Sequence, residues 1–120
     1  MNAYDRRTRP MVPSVLVVEP YTDLRAGIVS ALQRRNYVCD AVATPHDAAL
    51  MLREHDYAYV VVDVDVPDAT SELVSSLSED SNIILITDDE DRDEEPREHH
   101  VLRKPFSRDE LLAQFVRTRG

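Results

Sequence analysis

The sequence contains little glycine, cysteine and positive charge, and each of these shortages excludes certain structures or functions. Only two of its 120 residues are glycine, against an average of about 7%, so most turns that need a positive φ must use Asn, Asp or Ser. The single cysteine, Cys39, cannot form a disulfide within the chain and is interpreted as a small core residue. A formal charge of -9 argues against binding to a nucleic-acid backbone, which depends on Lys and Arg.

Long apolar runs are also lacking. No stretch is long enough to span a bilayer, and the first residues lack the apolar block of a secretory signal, so we expect a cytoplasmic protein with no membrane partner. Residues 1–13 are polar and carry the only cluster of basic residues near the start, and we interpret them as a flexible leader. Residues 14–120 are long enough for one domain with its own core.

A valine-rich stretch from residue 60 to residue 67 is the most informative part of the chain. Five of these eight residues are valine, and the preceding Tyr-Ala-Tyr makes the stretch apolar on both faces. This pattern is typical of a central strand in a parallel sheet that is covered by helices on both sides. Asp63 interrupts the valines where the strand should end, and Pro67 then forces the chain to turn.

Helical and strand patterns alternate along the rest of the chain. Further strands are predicted over residues 14–18, 37–43, 82–87 and 99–103, and helices over residues 23–35, 45–54, from about 70 to 77, and from 108 onward. The helix starts are indicated by Thr22, by Thr44 with Pro45, and by the capping box of Ser107 with Glu110. Such alternation predicts an α/β protein with a doubly wound parallel sheet of five strands.

Four predicted strands end in a chemically useful side chain. These residues are Glu19, Asp63, Thr87 and Lys104. Because the carboxyl ends of parallel strands meet at one edge of the sheet, we expect two acids, a hydroxyl and an ammonium to converge there. That combination is suited to handling a phosphoryl group.

With these residues the chain resembles a response-regulator receiver domain over about residues 14 to 118. The segments that carry the resemblance are VLVVE, VVVDVDVP, NIILIT and RKPF. The resemblance implies a flavodoxin-like fold with strand order 2-1-3-4-5. It also implies an aspartate that accepts a phosphoryl group from a histidine kinase or phosphotransfer protein, a bound Mg²⁺, and a cis peptide bond before Pro105.

Matched residue by residue, the resemblance assigns a role to each strand end. Asp63 would be the phosphoacceptor, and Thr87 and Lys104 would hold phosphoryl oxygens. Glu19 and Asp63 would hold Mg²⁺, and Asp65 stands where the family supplies a backbone carbonyl to the ion. A carboxylate attacks phosphorus well only when the phosphoryl oxygens are neutralised, so this set of residue types suits the implied reaction.

The chain also departs from the family pattern. Pro20 stands where a second acid usually contacts the metal, and Asp88 stands where a small residue usually follows the hydroxyl. Val101 takes the place of the aromatic ring used in the family's switch, and no glycine follows Pro67. These departures favour an alternative in which the fold is kept as a pseudo-receiver, an interaction module that works without phosphorylation.

The acidic run over residues 88–95 is interpreted as a solvated loop, because it has almost no apolar face. The fourth helix, which would occupy this crossover, should therefore be short, irregular or missing. His99 and His100 adjoin the run, but neighbours on a strand point to opposite faces, so a two-histidine metal site is not expected.

Two further hypotheses remain open. Asp63 and Lys104 could form a simple salt bridge with neither metal nor phosphate. The Asp-Val-Asp motif of residues 63–65 also resembles the nucleophile motif of haloacid-dehalogenase-type phosphatases, although that family places it on the first strand and needs a larger chain. In the receiver hypothesis the chain is a single-domain protein, not an enzyme, and it signals through contacts with a kinase, a relay protein or a second copy of itself.

Overall fold

The computed structural model describes residues 14–63, 82–87 and 100–118. Five strands lie in these ranges: β1 (Ser14–Val18), β2 (Val38–Val42), β3 (Tyr59–Asp63), β4 (Asn82–Thr87) and β5 (His100–Arg103). Three helices lie there as well: α1 (Thr22–Gln33), α2 (Pro45–Glu54) and α3 (Arg108–Thr118). The predicted leader, the helix after Pro67 and the acidic run with its crossover fall outside the described residues.

All five strands are parallel, and their order across the sheet is β2-β1-β3-β4-β5. This order confirms the flavodoxin-like fold that the family resemblance implies. The valine-rich strand β3 lies in the middle, and each of its residues is buried. In the register of the sheet, Val18 pairs with Val62, Asp63 pairs with Ile86, and Thr87 pairs with Arg103. The strand ends therefore lie along one edge.

Alternate side chains of the central strands pack into two apolar clusters, one on each face of the sheet. The first cluster is packed by α1 and α3 and includes Val17, Ile28, Val61, Leu111 and Phe115. The second is packed by α2 and includes Leu16, Ala48, Val60, Val62 and Leu85. Burial on both faces fixes the register of the strands, since a shift of one residue would exchange the two faces. The polar ends of the strands are therefore held in place by the core beneath them.

The helix boundaries follow the capping signals with one correction. The Thr44 hydroxyl accepts a hydrogen bond from the Asp47 N–H at 3.1 Å, with Pro45 as the first helical residue of α2. The sequence prediction that Thr22 caps α1 was wrong: Thr22 is already helical, and Tyr21 is the cap residue with no side-chain capping bond.

The capping box before α3 agrees with the prediction, and the end of α1 differs from it by two residues. Ser107 and Glu110 exchange two hydrogen bonds, of 2.8 and 3.0 Å, in a capping box before α3. Helix α1 ends at Gln33, two residues earlier than predicted, and Asn36 then takes φ of 71° in the turn before β2. Asparagine tolerates this left-handed conformation better than most residues, which suits a chain so poor in glycine. None of the three helices in the described ranges is long and apolar enough to cross a membrane.

Candidate phosphoryl site

Of the four residues predicted to meet at the carboxyl edge of the sheet, the side chains of Glu19, Asp63 and Lys104 come together, and Thr87 lies at the same edge as the last residue of β4. Glu19 directly follows β1, Asp63 ends β3 and Thr87 ends β4, and all three are buried at 0%, 2% and 0% exposure. Lys104 follows β5, and its backbone N–H donates to the Thr87 carbonyl at 2.8 Å. Three polar residues at the edge of an otherwise apolar core are costly to bury unless they are paired.

Lys104 is the cation that pairs the two carboxylates. Its Nζ donates a hydrogen bond to Asp63 Oδ2 at 2.8 Å and lies 3.6 Å from Glu19 Oε1. The peptide bond between Lys104 and Pro105 is cis, as the resemblance implied. The ammonium therefore lies between two buried carboxylates, while 15% of the lysine side chain stays exposed to solvent. The lysine is therefore more exposed to solvent than either carboxylate that it contacts.

Glu19 is held by the loop that links β1 to α1. Its Oε2 accepts a hydrogen bond from the Tyr21 N–H at 3.1 Å. The guanidinium of Arg25 donates to the Glu19 carbonyl at 2.8 Å and to the Pro20 carbonyl at 3.4 Å, which fixes the loop backbone. Glu19 Oε1 is buried and accepts no hydrogen bond from any described residue. This oxygen therefore interacts with the Lys104 ammonium only as an ion pair at 3.6 Å.

Burial raises the pKa of Glu19 above its ordinary value of 4.5, and the neighbouring Asp63 carboxylate raises it further. The Tyr21 N–H and the Lys104 ammonium act in the opposite direction but do not cancel the effect of burial. Two carboxylates about 5 Å apart repel by roughly 3 kcal/mol at an effective dielectric constant of 20. In the absence of a further cation, an ionised Glu19 therefore lowers the free energy of unfolding.

We expect Glu19→Gln to be more stable than the wild-type protein at pH 8 in EDTA. A carboxyl whose pKa is raised by folding favours the folded state below its unfolded pKa, and that contribution is lost as the pH rises through its folded pKa. The advantage of the variant should therefore shrink as the pH falls towards 4.5. Urea unfolding of both proteins across this pH range measures it. An advantage that stays constant, or that grows on acidification, would contradict the raised pKa.

The residues present fit a divalent cation in part. Two carboxylates and one ammonium carry a net charge of -1 when both acids are ionised, and Glu19 Oε1 lacks a hydrogen-bond donor. Mg²⁺ is commonly held by one or two carboxylates together with phosphate oxygens and water. Within the described part of the chain no three acidic, histidine or cysteine residues cluster as a metal site. Asp65 lies outside the described residues, as do His99 and the side chain of His100.

One residue at the site was missed by sequence reasoning. The Lys104 Nζ lies 5.1 Å from the centre of the Tyr21 ring, within the range of a cation–π contact. No motif marks Tyr21, because the contact joins the first loop to the last strand end. Its partner in this contact could be predicted from the sequence, since Lys104 follows a strand and is the only lysine among 14 basic residues.

Residues 15–116 match the family described as the response regulator receiver domain. The chain belongs to this family. Receiver domains are generally signalling domains of two-component systems rather than enzymes, so the match favours this reading over the phosphatase alternative.

The fold of this receiver domain is similar to that of several solved structures. The chemotaxis response regulator CheY4 of Vibrio cholerae superposes with a TM-score of 0.78 at 22% identity, covering 90% of this chain and 99% of that one. The receiver domain of the sensor histidine kinase PA1611 from Pseudomonas aeruginosa superposes with a TM-score of 0.72 at 21% identity, covering 88% of this chain and 96% of that one. That structure has a magnesium ion coordinated in its active-site cleft.

Part of the chain also matches a known regulatory protein. The transcriptional regulatory protein BasR of Escherichia coli is 39% identical over 54 residues, which are 45% of this chain. The matched part spans only 24% of the length of BasR. The likeness therefore concerns about a quarter of that regulator and not the whole of it.

Proposed function

We propose that this receiver domain accepts a phosphoryl group on Asp63 from a histidine kinase or a phosphotransfer protein and signals through protein contacts. The observation that carries the proposal is the 2.8 Å bond between the Lys104 ammonium and Asp63 Oδ2 at a buried strand end. A lone buried aspartate would be costly, and pairing with Lys104 offsets this cost while the lysine keeps 15% of its side chain exposed to the solvent.

The chemistry follows from the positions of these groups. A carboxylate oxygen of Asp63 forms a bond to phosphorus while the bond to the donor breaks, and the leaving group keeps that electron pair. The Lys104 ammonium, already at the carboxylate, would hold a phosphoryl oxygen, and the hydroxyl of Thr87 would hold another. Glu19 and Asp63 would hold Mg²⁺, with the Asp65 backbone as the further ligand that the resemblance implies. When bound, the ion neutralises phosphoryl oxygens.

Two observations support a role for Mg²⁺ here. Glu19 Oε1 is buried without a hydrogen-bond donor, and it faces the site that contains Asp63 and Lys104. The PA1611 receiver, which shares this fold, contains magnesium in its cleft. Because Pro20 supplies no side-chain ligand, the ion would be held by fewer protein charges here than in a site with two adjacent acids.

Pro20→Asp should therefore tighten Mg²⁺ binding. One additional carboxylate about 5 Å from a divalent ion contributes several kcal/mol at an effective dielectric constant of 20 before desolvation is subtracted, so we expect a gain of at least about tenfold. Titration of the metal-free protein with Mg²⁺, followed by amide shifts of residues 19, 21–25 and 63, measures it. Pro20→Asn adds a polar side chain without charge and is the matched control. Equal affinities for all three proteins would contradict a metal site at this edge.

The test of the proposed function is treatment with acetyl phosphate in millimolar Mg²⁺ or in EDTA. Intact mass should show the addition of one phosphoryl group with Mg²⁺, and peptide mapping should locate it at Asp63. Absence of the adduct at millimolar Mg²⁺ would overturn the proposal.

The alternative that such a result would favour is a pseudo-receiver that acts as an interaction module. Two observations speak for it. Pro20 replaces the second acid, and Val101 packs partly buried against the core where the family's switch has an aromatic ring. In that case the Lys104 to Asp63 pair would only stabilise the fold.

A further inference from the structure

Tyr21 combines two contacts at the phosphoryl site. Its backbone N–H donates to Glu19 Oε2 at 3.1 Å, and its ring centre lies 5.1 Å from the Lys104 Nζ. Tyr21 is 66% exposed, so its side chain contributes little to the core. Its hydroxyl donates no hydrogen bond to a residue in the described ranges. A large aromatic side chain is thus kept at the surface, beside the only lysine of the chain.

We propose that Tyr21 is a positioning residue that uses the face of its ring to hold the Lys104 ammonium over the Asp63 carboxylate. The structural part of this inference stands alone, and its effect on phosphoryl chemistry rests on the proposed function. The ammonium sits on a flexible stem of four carbons, and its side chain is 15% exposed. Without the ring, the ammonium can exchange its contact with Asp63 for water.

The ring is well placed for this task because the loop beneath it is fixed. Proline at position 20 restricts the backbone directly before Tyr21. Arg25 donates to the carbonyls of Glu19 and Pro20, which ties the loop to the first turns of α1. The Glu19 side chain, which accepts the hydrogen bond from the Tyr21 N–H, is buried. The backbone that carries the ring is therefore held in place, with the ring centre 5.1 Å from the ammonium.

The contact can be measured without phosphate or metal. Lysine labelled with ¹³C at Cε gives a single signal in this chain, because Lys104 is the only lysine. In the wild-type protein the Hε protons should be shifted upfield by the ring, relative to the urea-unfolded chain. Tyr21→Phe should keep the shift, while Tyr21→Ala and Tyr21→Leu should lose it. A wild-type shift in Tyr21→Ala, or loss of the shift in Tyr21→Phe, would overturn the inference.

The functional effect is measured by beryllofluoride binding in millimolar Mg²⁺. An exposed cation–π contact is worth about 0.5–1 kcal/mol, so Tyr21→Ala and Tyr21→Leu should bind about 2- to 5-fold more weakly, with Tyr21→Phe equal to the wild type. The leucine variant separates the ring from mere bulk. Equal binding by the alanine, leucine and wild-type proteins would overturn the positioning role. If the wild-type protein itself binds no beryllofluoride, the proposed function fails, and the lysine signal still decides whether Tyr21 holds Lys104.

Urea unfolding of each variant shows whether a lost lysine shift reflects unfolding of the whole protein. Tyr21 is exposed, and its hydrogen bonds and ring contacts within the described residues involve three partners. Its N–H donates to Glu19, its carbonyl accepts from the Arg25 N–H at 2.8 Å, and its ring contacts Lys104. Replacement of its side chain keeps both of its backbone bonds. The four proteins should therefore unfold at similar urea concentrations. A loss of lysine shift that accompanies global unfolding would count against a specific positioning role.

Discussion

Asp63→Asn is expected to abolish the incorporation of phosphate from acetyl phosphate, with a loss of at least about 100-fold, because removal of a nucleophile leaves only background reaction. The amide nearly matches the carboxylate in shape and can still accept a hydrogen bond from Lys104. The variant should therefore fold, since it also removes the repulsion between two buried carboxylates. Intact mass after treatment in millimolar Mg²⁺ measures the loss.

Asp40→Asn is the matched control for this result. Asp40 lies on the edge strand β2 and accepts a hydrogen bond from the Tyr57 hydroxyl at 2.6 Å, which an asparagine oxygen can also accept. It should be phosphorylated like the wild-type protein. If Asp63→Asn gains a phosphoryl group as fast as Asp40→Asn, the acceptor is another residue and the assignment of Asp63 is wrong.

Lys104→Met is expected to lower the free energy of unfolding by about 3 kcal/mol at neutral pH in EDTA. The change keeps most of the apolar stem but leaves Asp63 and Glu19 buried at 2% and 0% exposure without their cation. Removal of one partner from a buried ion pair costs about 3–5 kcal/mol, and the partly exposed lysine places this case at the lower end. Urea unfolding measures it. Arg53→Met, at an exposed helix end, should change stability by no more than about 0.5 kcal/mol.

The loss should depend on the carboxylates and not on the stem of the lysine. Combining Lys104→Met with Asp63→Asn should recover much of the lost stability, because the second change removes one of the two carboxylates that have lost the ammonium. Millimolar Mg²⁺ should also stabilise the Lys104→Met protein more than the wild type, since the ion then has no ammonium to compete with. If the two substitutions are simply additive, the contact between the side chains carries no energy.

Much of the fold could be predicted because its signals are local. Apolar strands that alternate with capped helices predicted the five-stranded parallel sheet, and strand β4 was predicted with its observed bounds, residues 82–87. The convergence of Glu19, Asp63 and Lys104 follows from the same reasoning, since parallel strands share one carboxyl edge. Neither step needed a long-range contact to be known in advance.

The remaining features depend on tertiary contacts. Threonine caps helices better than tyrosine, yet α1 begins at Thr22, one residue before the predicted start. The N–H of the cap residue Tyr21 donates a hydrogen bond to the Glu19 side chain. The pKa of Glu19 depends on how deeply the first loop is buried, which no local pattern reports. The contact between Tyr21 and Lys104 joins two loops that are far apart in the sequence.

A crystal structure of the chain with Mg²⁺ and beryllofluoride tests most directly whether these residues form one phosphoryl site. The expected result is beryllium bonded to a carboxylate oxygen of Asp63, with Lys104 and Thr87 facing the fluorides and Mg²⁺ held between Asp63 and Glu19. A structure obtained at saturating concentrations of both reagents, with Asp63 unmodified and its bond to Lys104 unchanged, would contradict it.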